Sequence, residues 1–378
     1  MTAAGPVEVV TARTAAELER LRTRWERVPW EREEAELDYL LARVRLRPEA
    51  IAPLGVLVCR GGEPLSGLAG RVEERRLPAR LGYLAVVAPR LRLLHVVQGG
   101  IVGTAAIEAL RPLLGEVDAV VFPPLPVDSD LARAAAALAS PLRRQPFVAA
   151  GARRVLALPA SYEEFLASRS RKVRFGLRYD AKKLLAALGP DLRTDVVREP
   201  AQLEALVRDL DAVARLAYQR ALGGGFTDTL EQRELLRLAL ERGWARVFLL
   251  RHRGRPIAYW LCSVYRGTML LRQTGFDPGY AHLRVGIFLL TQAIGLAIAD
   301  PAIEVIDFGQ GDAAYKRQLS SESWLEREVV VFAPTWRGLR ANAARAPVLG
   351  AARLARRALD AASLTDRVRV GWRSRARR

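Results

Sequence analysis

Between residues 307 and 316 the chain places Asp307, Asp312, Tyr315 and Lys316, with Gly309 and Gly311 among them, in the run DFGQGDAAYK. The preceding IEVIDF predicts a buried strand that ends at Asp307, and the two glycines let the backbone turn so that the later residues follow on a short helix or turn. A carboxylate, a phenol and an ammonium are thereby expected at one end of a strand. Such a set can take a proton from a nucleophile, supply one to a leaving group and stabilise a developing negative charge. A plainer reading stands beside it: Asp312 caps the helix, Tyr315 packs half-buried and Lys316 is a surface charge.

Arg171, Arg174, Arg178 and Lys182 are spaced by three, four and four. That spacing predicts one basic helix face, with Val173, Leu177, Leu184 and Leu188 on another. Like charges at these spacings repel without a partner, so the face is expected to meet an anionic ligand, with a solvated face as the alternative. Arg284, Val285, Gly286 and Ile287 open a long uncharged stretch that reads as a buried helix. A phosphate could approach free N–H groups near Gly286, and Arg284 would add charge. His95, His252 and His282 are scattered without ligand spacing, so no metal site is expected. The DFG triplet does not signal a kinase, because no Gly-rich strand, paired Lys strand or catalytic loop precedes it.

The elements that must position these residues follow one order twice. Thr14 and Glu17 form a capping-box pattern for a helix to about residue 28, and a second helix is expected over 31–44. PLGVLVCR and EPLSGLAGRVEE read as strands joined by a Gly-Gly turn, with YLAVVA and LLHVV as further strands. A helix over 104–114, a strand from 117 and an alanine-rich helix over 128–139 complete this half. In the second half RRVLALP reads as a strand, Ser161 and Glu164 as a capping box, and 162–188, 200–218 and 229–242 as helices. The strands ARVFLLR, IAYWLCSVY and MLLRQTGF follow, then the uncharged helix near Gly286, IEVIDF, and the final strand WLEREVVVF. Antiparallel meander, helix, strand, helix is an α+β order, and no sequence repeat accompanies its duplication. The expected division is a first domain over 1–150, a second over 151–335 and a basic helical or disordered tail over 336–378.

Half of the 378 residues are hydrophobic, enough for one large or two medium cores and too many for a disordered chain. Lys and Arg number 59 against 41 Asp and Glu, a net charge of +18. Residues 168–183 and 336–378 carry 16 of that excess, so the basicity belongs to two surfaces rather than to the whole chain. Cys59 and Cys262 lie in apolar runs and read as small buried hydrophobes. The N-terminus has no basic stretch followed by an apolar core, and the longest uncharged run stops at Asp300 and Pro301, short of a membrane span. A cytoplasmic protein is expected, held at the inner face of the membrane if the basic tail attracts anionic lipid.

Over about 161–333 the chain resembles the BioF2-like, FemAB-like acetyltransferase branch of the GNAT superfamily. The resemblance is carried by SRSRKVRFGLRY, GRPIAYWLCSVYRGTML, TGFDPGYAHLRVG and above all DFGQGDAAYK. It implies two tandem GNAT-like domains, each a mixed, mainly antiparallel sheet flanked by helices, the first one degenerate. It also implies transfer of an acyl group from acyl-CoA, as co-substrate, to an amine acceptor, with no permanently bound cofactor. On that footing Lys316 stabilises an oxyanion or a donor phosphate, Asp307 acts as base or as orienter of the amine, and Tyr315 as general acid. Arg284, Val285, Gly286 and Ile287 cradle the donor phosphates, and the strand over 269–274, with Gln273, offers its edge to the pantetheine. Arg171, Arg174, Arg178 and Asp312 meet the acceptor. The peptidoglycan Fem transferases end in a similar aromatic-Lys pair, so an aminoacyl-tRNA donor is the alternative. A non-catalytic factor at the membrane surface is the second alternative.

Overall fold

The structure is a computed structural model that describes residues 6–82, 84–217 and 225–361. Strand β1 (Val7–Ala12) precedes helices α1 (Ala15–Arg20) and α2 (Arg22–Glu26). The capping box forms at Thr14, whose Oγ1 accepts from Glu17 N at 3.2 Å while Glu17 Oε2 accepts from Thr14 N at 3.1 Å. The single helix expected to residue 28 is two, because the chain leaves helical geometry at Leu21. Helix α3 (Leu37–Leu46) follows, then β2 (Ala50–Arg60), β3 (Glu63–Arg76), the small hairpin β4 (Ala79–Leu81) and β5 (Leu84–Val87), and β6 (Arg90–Val102). Helix α4 (Ala105–Glu108), strand β7 (Ala119–Pro126) and helix α5 (Asp130–Ala137) close this stretch.

Strand β8 (Gly151–Ala157) opens the next one, followed by α6 (Tyr162–Ala167) and the 18-residue α7 (Arg171–Leu188). The sequence predicts one helix here; Ser170 divides it, since its Oγ accepts from Val173 N and starts α7 afresh. Next come β9 (Leu192–Val197), α8 (Leu203–Leu216), α9 (Leu230–Glu241), and the meander β10 (Ala245–His252), β11 (Arg255–Tyr265) and β12 (Gly267–Phe276). Helix α10 (Val285–Ile298), strand β13 (Ile303–Gln310), helix α11 (Ala314–Leu319), strand β14 (Glu322–Phe332) and helix α12 (Trp336–Ala361) complete the described chain.

Packing divides the chain into two units. Among the described residues, one comprises 6–151 with 325–361 and the other lies within 152–324. In the first, β2, β3 and β6 form an antiparallel meander, β6 pairs parallel with β7, and β7 pairs antiparallel with β14. In the second, β10, β11 and β12 form the meander, β12 pairs parallel with β13, and β13 pairs antiparallel with β8. Each unit is thus a mixed sheet flanked by helices, an α+β arrangement made twice. The strand that follows α5 pairs with β13, while the strand that follows α11 pairs with β7. That exchange corrects the expected second domain of 151–335: Val329–Phe332 register with Phe122–Ala119, which takes 325 onward into the first unit. The expected separate tail is corrected for the same reason, since α12 buries Ala341, Asn342 and Arg345. The positions beyond 361 lie outside the described residues.

The core of the second unit gathers Met269, Leu289, Leu290, Ile294, Ile306 and Phe308 around Trp260 and Phe288. It explains why 286–299 carries no charge: α10 is buried on most sides. Cys59 and Cys262 are free and buried, and burial pushes the Cys262 thiol up. Among the described residues no helix is long and apolar enough to cross a membrane.

Candidate active site

The parallel pair β12 and β13 shares a register from Gly267 with Ile303 to Leu270 with Asp307. Beyond Leu270 and Asp307 the two strands run on, to Phe276 and Gln310, without pairing to each other. They fork, and Asp307 stands at the apex. On its other side β12 carries a bulge against β11, where Leu271 faces Cys262, Gln273 faces Leu261 and Arg272 is the extra residue. A bulge bends its strand away from a neighbour, which favours an open fork here. Over 273–275 β12 is no longer in register with β13, and the buried Gln273 Oε1 has no hydrogen-bond partner. An unpaired strand edge presents alternating N–H and C=O groups to any extended amide-bearing ligand.

Both oxygens of Asp307 are engaged. Arg153, on β8, donates to Oδ2 through Nε at 3.0 Å and also through Nη2, while Gly309 N donates to Oδ1 at 2.7 Å. The side chains of this pair are 8% and 4% exposed for Arg153 and Asp307. Burial pushes the Asp307 carboxyl up, against the pull of Arg153 and of the Gly309 N–H. The Gly309 and Gly311 backbones have φ of 69° and 115°, values a side chain would strain, and this is how the strand turns into α11. Lys316 reaches back over that turn: its Nζ donates to Gln310 O at 2.7 Å and lies 3.5 Å from Gly309 O. Burial lowers its pKa, with Asp307 opposing. An ammonium half-buried beside a strand fork, with donor capacity beyond those two carbonyls, suits the stabilisation of a nascent oxyanion.

The other expected residues are placed as follows. Tyr315 packs edge-on against Trp260, ring centroids 6.2 Å apart, and Trp260 Nε1 donates to Gly286 O at 3.0 Å, which ties the turn to the start of α10. Asp312 is held by Arg154 at 2.8 Å and Arg317 at 2.7 Å, and these guanidiniums, Arg154 foremost, hold its carboxyl low. It ties β8 to α11, with its side chain 55% exposed. Arg284 adopts φ 53° and ψ 39° at the N-cap of α10, in the left-handed region that non-glycine residues seldom occupy. Its carbonyl takes both Ile287 N and Phe288 N, so Val285 and Gly286 supply the helix-start N–H groups that have no acceptor within the helix. Its guanidinium, expected to face a phosphate, pairs with Asp180 of α7 at 2.7 Å.

Helix α7 divides its arginines. Arg174 Nη1 donates to the carbonyls of Ala167 and Arg169, closing the end of α6, whereas Arg171 and Arg178 are exposed. Phe175 and Tyr179, 71% and 57% exposed, stack on each other at 6.1 Å between them. Arg153 was not among the residues expected from sequence, although two arginines inside the apolar strand RRVLALP were its signal: a buried strand that carries a charge needs a partner for it.

The first unit has the same fork and lacks its chemistry. Its parallel pair ends at His95 with Val121, so Val121 occupies the apex, and β7 continues into Pro123 and Pro124 where β13 has Gly309 and Gln310. Ser66 Oγ accepts from Ala106 N at 2.9 Å, which takes up a helix-start N–H of α4 from within the protein.

Residues 171–317 match the acetyltransferase (GNAT) domain family. No curated protein sequence matches the chain. Among solved structures, FemX overlaps with a TM-score of 0.55 at 13% identity, covering 86% of this chain and 97% of that one. A tandem GNAT protein from the clavulanic acid biosynthesis pathway overlaps at 0.43 with 13% identity, covering 87% of this chain and 99% of its own. A GCN5-related N-acetyltransferase from Kribbella flavida overlaps at 0.37 with 10% identity, covering 86% and 72%. Of these, the FemX overlap bears on the fold.

Proposed function

We propose that the chain is a GNAT, FemAB-like acyltransferase, in line with its match to the acetyltransferase (GNAT) domain family over 171–317, and that it moves an acyl group from acyl-CoA to an amine, with the chemistry in the second unit. The observation that carries this reading is the strand fork at Leu270 and Asp307, because one place supplies a strand edge parted from β13, helix-start N–H groups without an acceptor in their helix and a partly buried ammonium. The β12 edge and the buried Gln273 Oε1 suit the amides of a pantetheine arm, and Val285 and Gly286 N–H groups suit a phosphate.

In the reaction the amine nitrogen attacks the thioester carbonyl, the C–N bond forms and the C–S bond breaks, and the proton lost by the nitrogen is balanced by the one taken up by the departing CoA thiolate. Lys316 stabilises the negative charge that gathers on the carbonyl oxygen. Asp307, with both oxygens occupied, is a positioning residue: it holds Arg153 and the Gly309 turn and so fixes where Lys316 sits. The roles expected from sequence are base or orienter of the nucleophilic amine; placing Lys316 through the turn is a third, which its hydrogen bonds favour. Tyr315, one residue before Lys316, is the candidate proton donor to the leaving thiolate. Exposed Arg171 and Arg178 suit an anionic acceptor, such as a polysaccharide or cell-envelope precursor that bears phosphate.

A second reading, an aminoacyl-tRNA donor, is favoured by the exposed Phe175–Tyr179 stack among basic residues on α7, since aromatic platforms in basic surroundings suit nucleic acid. The membrane-surface reading rests on the basic C-terminal segment alone. Supplying acetyl-CoA, longer acyl-CoAs and charged tRNA in parallel with a panel of amines separates the first two: amine-dependent release of free CoA is expected, and transfer from charged tRNA alone would overturn the proposal.

A further inference from the structure

The first unit, which lacks the apex carboxylate and the lysine, holds a cavity of about 700 Å³ on a different part of its sheet. Its walls come from β4, α5, the segment 144–149, β14 and α12, all within that unit. The size falls in the range of small-molecule pockets. Five arginines line it, Arg80, Arg144, Arg327, Arg353 and Arg356, against one carboxylate, Glu328. Like charges gathered around one cavity repel one another, a cost that a bound anion would offset.

Behind the lining lies Arg345, 2% exposed, whose Nε and Nη1 have no hydrogen-bond partner. Its Nη2 donates to Oε1 of the cavity-lining Gln145 at 2.6 Å, and Glu328 is the acid whose charge reaches it. A buried, half-satisfied guanidinium one residue from a cavity wall raises the positive potential inside it. The rest of the wall is apolar: Ala132, Ala136, Phe147, Val329, Leu349 and Ala352. Phe147 is held at φ 61° with Arg353 over its ring at 5.3 Å, and Gly350 lacks the Cβ that would approach that ring to 3.3 Å. A non-glycine backbone in this region persists only where its surroundings hold it there.

We propose that this cavity binds an amphiphilic anion, a phosphate or carboxylate head taken by Arg144, Arg327 and Arg353 with an apolar portion lying along Phe147, Val329 and Leu349. The site is independent of the acyl-transfer chemistry, because none of its residues lies in the second unit. Leu349 and Ala352 lie in the segment that the sequence reads as a basic tail, and in this arrangement they line the cavity.

The test is calorimetric titration of the full chain with dodecyl phosphate below its micelle concentration, beside dodecanol, inorganic phosphate and CoA. One-to-one binding of dodecyl phosphate is expected, with Arg353→Ala and Arg327→Ala each weakening it about tenfold, the loss of one charge-assisted hydrogen bond. Lys316→Ala should bind it as the wild type does, which keeps this result separate from the fate of the acyl-transfer proposal. The two arginines are on the surface of the cavity, and melting curves identify a variant that has merely unfolded; for such a case Ala352→Trp fills the cavity by an independent route and should also abolish binding. Equal binding of dodecanol would overturn the anion, equal binding of inorganic phosphate would overturn the apolar portion, and displacement by CoA would overturn the separation from the donor. Unchanged affinity in the arginine variants and in Ala352→Trp would place any binding elsewhere.

Discussion

Replacing Asp307 by Asn tests the buried pair on which the turn depends. The substitution keeps an acceptor for Gly309 N and almost the whole side-chain volume, but it leaves Arg153, 8% exposed, as a cation opposite a neutral amide. Breaking a buried pair from one side costs about 3–5 kcal/mol. For a unit of this size each kcal/mol moves the midpoint by roughly 2–4 °C, so a fall of roughly 6–20 °C is expected in thermal unfolding followed by near-ultraviolet circular dichroism. Arg153→Met alone should also destabilise, because it strands the carboxylate. The double variant removes both halves of the ion pair, so it should recover at least half of the loss seen in Asp307→Asn. A double variant whose loss equals the sum of the two single losses would refute the coupling, and with it the account of why Asp307 is a positioning residue.

Lys316→Ala should fold and lose about two orders of magnitude in turnover, the scale of one oxyanion donor; near wild-type turnover at saturating substrates would remove it from the chemistry. Since burial lowers the Lys316 pKa, its ammonium and the activity it supports should be present at low pH and lost as pH rises, at a pH below the ordinary lysine value of 10.5. In Lys316→Arg that basic limb should vanish from the pH–rate profile, and an unmoved limb assigns it to another group. Arg171→Glu and Arg178→Glu should raise the acceptor KM more at low salt than at high salt, whereas Arg174→Glu should chiefly lower the melting temperature, because Arg174 is bonded to Ala167 O and Arg169 O; equal effects from all three would return α7 to a solvated face. His95 is held down to about 3, by burial first and Arg71 next. The folded first unit therefore binds fewer protons there than the unfolded chain, and its stability should fall as pH drops from about 6.5 towards 3; His95→Gln should flatten that slope in urea titrations, and an unchanged slope would show that other groups set it.

What could be read from the sequence was whatever local rules decide. The Thr14 capping box, the short hairpins between β10, β11 and β12 and the uncharged α10 follow from spacing and turn residues, and each has its counterpart in the structure. The DFGQGDAAYK run also declared its turn, because glycines at positive φ are a local necessity. Strands β1 and β9 escaped notice: both lie on sheet edges, where one neighbour supplies the pairing and the sequence need not alternate strongly. The pairing of β14 with β7 and of β8 with β13 could not be seen either, since it joins residues about two hundred or about one hundred and fifty positions apart, and no local pattern records it. For the same reason the spacing of Arg171, Arg174 and Arg178 predicted one basic face but not that Arg174 is spent on carbonyls. Arg284 showed its charge but not its partner, Asp180, which lies on a helix far away in the chain.

The central claim is that the fork between β12 and β13 receives an acyl-CoA donor, and backbone hydrogen exchange reads the two features it depends on. In the presence of saturating CoA, slowed exchange is predicted in peptides that cover 271–276 and the helix start at Val285 and Gly286, with no change over 103–108, where Ser66 already holds Ala106 N. Protection centred on the first unit's fork, or none in the second unit while CoA is bound, would contradict it.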